Sequence, residues 1–85
     1  MDTVENAIIW GAGKWGILAY FYYRNKYNLI GYVDSDKKLW GQRLNGLEIY
    51  SPQILEKIQA KIIIANKNNS NEIKNQLVQS NRAVN

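Results

Sequence analysis

Apolar residues fall along this 85-residue chain in short runs, each broken by glycine, asparagine or charge, and each run has the length of one element. Asn6 to Trp10 (Asn-Ala-Ile-Ile-Trp) is a continuous apolar stretch, the pattern of a strand buried on both faces. It stops at Gly11. Lys14 to Asn25 has helical length and no internal proline; Ile17, Leu18 and Phe21 supply an apolar face, and Ala19 permits close packing. Tyr27-Asn28 ends that helix, and Leu29 to Val33 reads as a second strand running into Asp34.

The polar stretch from Ser35 to Leu44 predicts a loop with a bend at Trp40-Gly41. Asn45-Gly46 is a tight-turn signal, and Leu47 to Tyr50 is a short extended piece after it. Ser51-Pro52 starts a helix, with a hydroxyl to cap it and proline at its first position; its run to about Gln59 is expected to bury Ile54, Leu55 and Ile58. Lys61 to Ala65 is the clearest buried strand, followed by a loop over Asn66 to Asn69. A last helix, capped by Ser70, runs from about Asn71 to Ser80 and presents Ile73, Leu77 and Val78.

Strands alternating with helices call for parallel pairing through right-handed crossovers. The expected fold is therefore α/β, a small Rossmann-like three-layer domain with a three- to four-stranded, mainly parallel sheet, forming a single unit over residues 1–85. The strand ending at Trp10 is expected at the centre, between the Leu29 and Lys61 strands. So small a sheet leaves edges open, and Arg82 to Asn85 reads as the approach to a further element. A fragment of a longer protein, or a homo-oligomer that covers an edge, is the expectation.

Composition narrows the chemistry. An apolar fraction of 46% with 12% aromatics supports a core. Cysteine and histidine are both absent, which removes disulfides, thiolate metal sites, the usual zinc ligands and the commonest general base. The net charge of +4 is spread from Lys14 to Arg82 rather than gathered into a stripe, so no nucleic-acid partner is expected. With no apolar run of membrane-spanning length and no signal peptide at Met1 to Glu5, the chain is expected in the cytoplasm, without membrane insertion.

The candidate chemistry lies at Gly11-Ala12-Gly13-Lys14-Trp15-Gly16. A lone Gly-x-Gly-x-x-Gly is weak, but here a buried strand precedes it and a helix follows. Gly11 permits the tight turn, Gly13 lets a phosphate approach the backbone, and Gly16 lets the helix pack on the strand. The N–H groups opening the helix face an anion, beside Lys14. The alternative is a compact corner that binds nothing. Asp34 stands 18 residues beyond Gly16, close to the offset of about 20 at which a carboxylate accepts ribose hydroxyls and repels a 2′-phosphate, favouring NAD over NADP. Its other reading is a cap on the Ser35-Asp36 turn. Ala65 and Asn66, at the end of the third buried strand, are candidates to line the cleft at the point where strand order reverses, or merely to begin a polar loop. Trp15 is the tryptophan expected to touch a ligand, Trp10 and Trp40 being core or cleft-edge residues. The tyrosines Tyr20, Tyr22 and Tyr23 read as packing plus a partner-facing surface. Tyr22 and Lys26 have the spacing of a dehydrogenase catalytic pair, but in the first helix they are remote from any nicotinamide.

Ile8-Ile9-Trp10-Gly11-Ala12-Gly13-Lys14-Trp15-Gly16, then Ile30-Gly31-Tyr32-Val33-Asp34-Ser35-Asp36, Trp40-Gly41 and Asn45-Gly46-Leu47-Glu48-Ile49, resemble the Rossmann-like nucleotide-binding domains of bacterial polysaccharide-biosynthesis enzymes. Such domains precede the catalytic part of capsular nucleotide-sugar epimerases and dehydratases, and begin sialic-acid-type sugar acyltransferases. The resemblance covers about Ala7 to Ala65. It implies NAD(H), or a nucleotide-sugar in the acyltransferase branch, with Gly11, Gly13 and Gly16 at the phosphates and Asp34 at the ribose or sugar. Acyltransferase members usually carry histidine where Trp15 stands. The expected function is a nucleotide-binding domain, not catalytic alone, whose catalytic domain lies outside this chain. The alternatives are a structural or oligomerisation module attached to a glycosyltransferase or sugar methyltransferase, and, with less support, an S-adenosylmethionine methyltransferase core.

Overall fold

A computed structural model of the chain describes residues 4–65. Strand β1 (Asn6–Trp10) is followed by helix α1 (Lys14–Tyr23), β2 (Asn28–Val33), β3 (Arg43–Leu44), β4 (Leu47–Tyr50) and β5 (Lys61–Ile64); 3-10 turns at Lys37–Leu39 and Pro52–Glu56 lie between. The sheet runs β3-β4-β2-β1-β5, parallel except for the β3–β4 hairpin. Central β1 is the expected arrangement, and Ala7, Ile8 and Ile9 are fully buried there. Right-handed connections from β1 to β2 and from β4 back to β5 run in opposite directions across the sheet, so they lie on opposite faces. The expected Asn66 to Asn69 loop and the helix over Asn71 to Ser80 lie outside the described residues.

The sheet has five strands rather than three or four. The additional strand comes from the segment expected to be loop: Asp36 Oδ1 accepts from Lys38 N at 3.0 Å and starts a 3-10 turn, after which Gly41 N–H donates to the Ile49 carbonyl at 2.8 Å. The chain is thereby laid against β4, and Asn45 (φ 53°) and Gly46 (φ 78°) close a two-residue hairpin loop. The helix expected from Pro52 to Gln59 is a 3-10 turn that ends at Glu56, and Ile54, Leu55 and Ile58 are only half-buried. Ser51 Oγ caps it as expected, accepting from Gln53 N at 3.1 Å.

One register irregularity aligns the core. β1 pairs Ala7 with Leu29 but Ile9 with Tyr32, so β2 carries an extra residue. The bulge turns both Leu29 and Tyr32 toward α1. Gly31 sits in it on the opposite face, beneath the Tyr50 ring, where a Cβ would stand 2.7 Å from Cε2.

Helix α1 is apolar nearly all round, and the face it buries is not Ile17, Leu18 and Phe21. Gly16, Ala19 and Tyr23 are buried, whereas Ile17 is 37% and Phe21 53% exposed. The smallest side chains select the inward face, because the helix can come closest to the sheet along the line of Gly16 and Ala19. Tyr23 belongs to the core beside Tyr27, Tyr32, Ile49 and Ile63 rather than to a partner-facing surface.

Gly11 has φ +121°, and a Cβ there would collide with the Ala65 carbonyl oxygen. Gly11→Ala is expected to lower stability by about 2–5 kcal/mol, from backbone strain plus overpacking, read as a lower urea midpoint. Burial, then the neighbouring Tyr27 and Tyr22, pushes the Tyr23 hydroxyl up to about 12. A folded pKa above the unfolded value of ~10 favours folding below pH ~10, and that contribution is lost as pH rises toward 12. Alkaline titration should therefore show Tyr23 ionising only as the fold opens, in tyrosinate absorbance and circular dichroism together.

Candidate functional site

The carboxyl end of β1 delivers the chain into the glycine turn between β2 and β5, where Gly11 N–H donates to the Val33 carbonyl at 2.7 Å and Ala65 N–H to the Trp10 carbonyl at 2.9 Å. The turn is thus fastened on both sides at the reversal of strand order. Gly11 and Gly16 are filled from within: a Cβ on Gly16 would strike the Gly11 carbonyl and come within 3.2 Å of Tyr32 Cε1. Gly13 is different. It has φ −114°, a conformation open to other residues, and a Cβ on it would meet no atom within 4 Å. Two glycines are therefore explained by packing inside the protein, and the third faces open space.

Gly13 precedes α1 and offers no side-chain cap, and the first helical turn carries no acid. Ile17 N–H makes the first intrahelical bond, to the Gly13 carbonyl at 3.0 Å. The N–H groups of Lys14, Trp15 and Gly16 precede it and have no acceptor within the helix. With the helix dipole they present partial positive charge beside Gly13. Lys14 is exposed, its Nζ 5.7 Å from the Trp15 ring centroid, while Trp15 is half-buried and packs against the core.

Asp34 joins the turn to β2. Its Oδ2 accepts from Ala12 N–H at 2.9 Å and its Oδ1 from Asp36 N–H at 2.8 Å. The turn-capping role is realised, and a second bond to the glycine turn accompanies it. A carboxylate has about four lone-pair positions, so each oxygen keeps room for a further donor. Ser35 is exposed between the two aspartates. Ala65 is 2% exposed and meets the turn through its backbone; Asn66 lies outside the described residues.

Two contacts escaped sequence reading. Trp40 Nε1 donates to the Asp34 carbonyl at 2.7 Å, and Tyr32 Oη donates to Asn45 Oδ1 at 2.7 Å while lying 3.5 Å from the Gly16 carbonyl oxygen. Burial pushes the Tyr32 hydroxyl strongly up. The Trp40-Gly41 bend and the Asn45-Gly46 turn were both legible, but not what they touch. A groove of about 200 Å³ lined by Tyr50, Ser51, Gln53, Ile54 and Lys57 opens at the end of β4, apart from the glycine turn. Among the described residues no group of acidic side chains is arranged to hold a metal ion, and no helix is long and apolar enough to cross a membrane.

A family model described as C2185-like, N-terminal, matches residues 3–83. No curated protein matches the sequence. Among solved structures, UDP-D-quinovosamine 4-dehydrogenase from Vibrio fischeri aligns with a TM-score of 0.66 at 23% identity, covering 73% of this chain and 57% of that one. RSP, a Rex-family repressor, aligns with a TM-score of 0.62 at 26% identity, covering 89% of this chain and 41% of the repressor. The same repressor in complex with beta-NADH aligns at 0.60 with 25% identity, again covering 89% and 41%. The chain thus spans about half the length of the proteins it resembles, and its fold is Rossmann-like.

Asp34→Ala removes acceptors for two backbone N–H groups and is expected to cost about 1–3 kcal/mol. Asp34→Asn, which keeps one acceptor oxygen, should lose less. Denaturant midpoints of the two variants give the comparison.

Proposed function

The chain belongs to the C2185-like N-terminal family, and from that premise we propose that it is a dinucleotide-binding domain taking NAD(H) at the glycine turn. The open space at Gly13, beside helix N–H groups without a cap, carries this reading. Those groups would hold the pyrophosphate, and the remaining lone pairs of Asp34 would accept ribose hydroxyls. The same carboxylate would repel a 2′-phosphate, so NAD is preferred over NADP. Support comes from the repressor bound to beta-NADH, which matches 89% of this chain at 25% identity. When bound, NAD(H) supplies hydride transfer; the residues here bind and orient it.

The Gly-x-Val-Asp, Trp-Gly and Asn-Gly elements support a finer assignment. In it the domain serves a larger enzyme of bacterial surface-polysaccharide or sugar-nucleotide metabolism, with catalysis supplied outside this chain. A nucleotide-sugar in place of NAD(H) is less favoured, because Trp15 occupies the position of the acyltransferase histidine. One observation favours a structural or oligomerisation module instead: Ile17 and Phe21 leave an apolar face of α1 uncovered among the described residues.

Isothermal titration separates the readings. Saturable binding of NADH is expected in the 85-residue chain, with NADP about tenfold weaker than NAD. Gly13→Val should weaken NAD binding at least about 100-fold, roughly 2.7 kcal/mol, while leaving the circular dichroism and the urea midpoint unchanged. Absence of any nucleotide binding, with light scattering reporting self-association that survives Gly13→Val, would favour the module.

A further inference from the structure

Trp40 is the one large exposed apolar side chain at the carboxyl end of the sheet among the described residues; the others are Val4, ahead of β1, and Ile17 and Phe21 on α1. Its neighbour Leu39 packs against the core, whereas Trp40 turns outward and is 37% exposed. The indole is nonetheless fixed. Its Nε1 is committed to the Asp34 carbonyl at 2.7 Å, its own backbone N–H donates to the Lys37 carbonyl at 3.3 Å, and Gly41 N–H ties the next residue to Ile49. An indole whose polar edge is bonded, and whose backbone is held on both sides, offers solvent an oriented aromatic surface. That surface belongs to the residue bonded to Asp34, whose carboxylate is bonded to Ala12 of the glycine turn.

We propose that Trp40 is the nucleobase platform of this site, stacking the adenine of a dinucleotide whose ribose is held by Asp34. The proposal rests on the dinucleotide reading above. In a nucleotide the base is attached to the carbon next to the one bearing the 2′-hydroxyl. A ribose engaged by Asp34 therefore delivers its base beside the indole that Asp34 anchors. Stacking on a rigid aromatic face loses little side-chain freedom, and it accepts a base without hydrogen-bond readout. Trp40 would thus contribute affinity for the base, leaving discrimination at the ribose to Asp34.

The test uses the 85-residue chain with NAD, ADP and inorganic pyrophosphate as probes, in wild type, Trp40→Ala and Trp40→Phe. Trp40→Ala is expected to bind NAD and ADP about 5- to 150-fold more weakly, the range for losing one base–aromatic stack, with pyrophosphate affinity unchanged. Trp40→Phe, which keeps a ring but loses the N–H, should retain most of the affinity. Upfield shifts of the adenine protons should accompany binding to wild type and Trp40→Phe and be absent with Trp40→Ala. NAD affinity unaltered in Trp40→Ala overturns the proposal. So does equal loss in both variants, since that would assign the effect to the hydrogen bond on Asp34. Failure of wild type to bind NAD, ADP or pyrophosphate overturns the dinucleotide reading itself and this inference with it.

Discussion

The close approach of backbone to backbone around Gly11 is the constraint on which this small domain depends. The Gly11 carbonyl lies where a side chain on Gly16 would be, and the Ala65 carbonyl lies where one on Gly11 would be. Helix α1, strand β1 and the end of β5 meet there with no side chain between them. That contact sets how deeply α1 sits, and hence why Ala19 and Tyr23, rather than Ile17 and Phe21, face the sheet. It also fixes where the uncapped helix start points. Close packing and an uncapped helix start beside open space are thus two consequences of one arrangement, divided among three glycines.

Asp34 extends the arrangement sideways. By taking Ala12 N–H it ties the glycine turn to β2, by taking Asp36 N–H it shapes the exit from β2, and its carbonyl holds the Trp40 indole. A residue whose side chain and carbonyl carry these structural duties is expected to matter for folding whether or not a ligand binds. On the dinucleotide reading, binding and stability would be coupled at this residue. The division at the glycines is cleaner, because Gly13 contributes nothing to packing that a larger residue would disturb.

The parts of the fold legible in sequence were those set by local pattern. Ala7 to Ile9 and Ile62 to Ile64 are continuous apolar runs and became paired parallel strands, β1 inside the sheet and β5 at its end among the described residues; Asn45-Gly46 and Ser51-Pro52 carry turn and cap chemistry readable at one residue's range. The inward face of α1 was not legible, because Lys14 to Tyr23 is apolar on every side and periodicity cannot choose among faces. Steric access chose, through Gly16 and Ala19. The bulge in β2 and strand β3 were hidden for a related reason: each depends on a partner strand, β1 or β4, that local pattern does not identify. At the site, the glycines and Asp34 could be named from spacing, whereas the grip of Trp40 on the Asp34 carbonyl required the folded hairpin beside it.

The remaining polar chemistry bears on whether the described residues could also use a dinucleotide. A general base works best with a pKa near the working pH. Tyr23 is driven by burial to about 12, and Tyr32 is buried, shifted in the same direction, and donates its proton to Asn45. Both hydroxyls are thus held in the protonated form, inside the core and away from the open side of the glycine turn. Asp34 already accepts hydrogen bonds from two backbone N–H groups, and Lys14 lies over an indole. On the dinucleotide reading, Asp34 and the helix start would hold ribose and phosphate, and the two buried tyrosines would not serve as a general base.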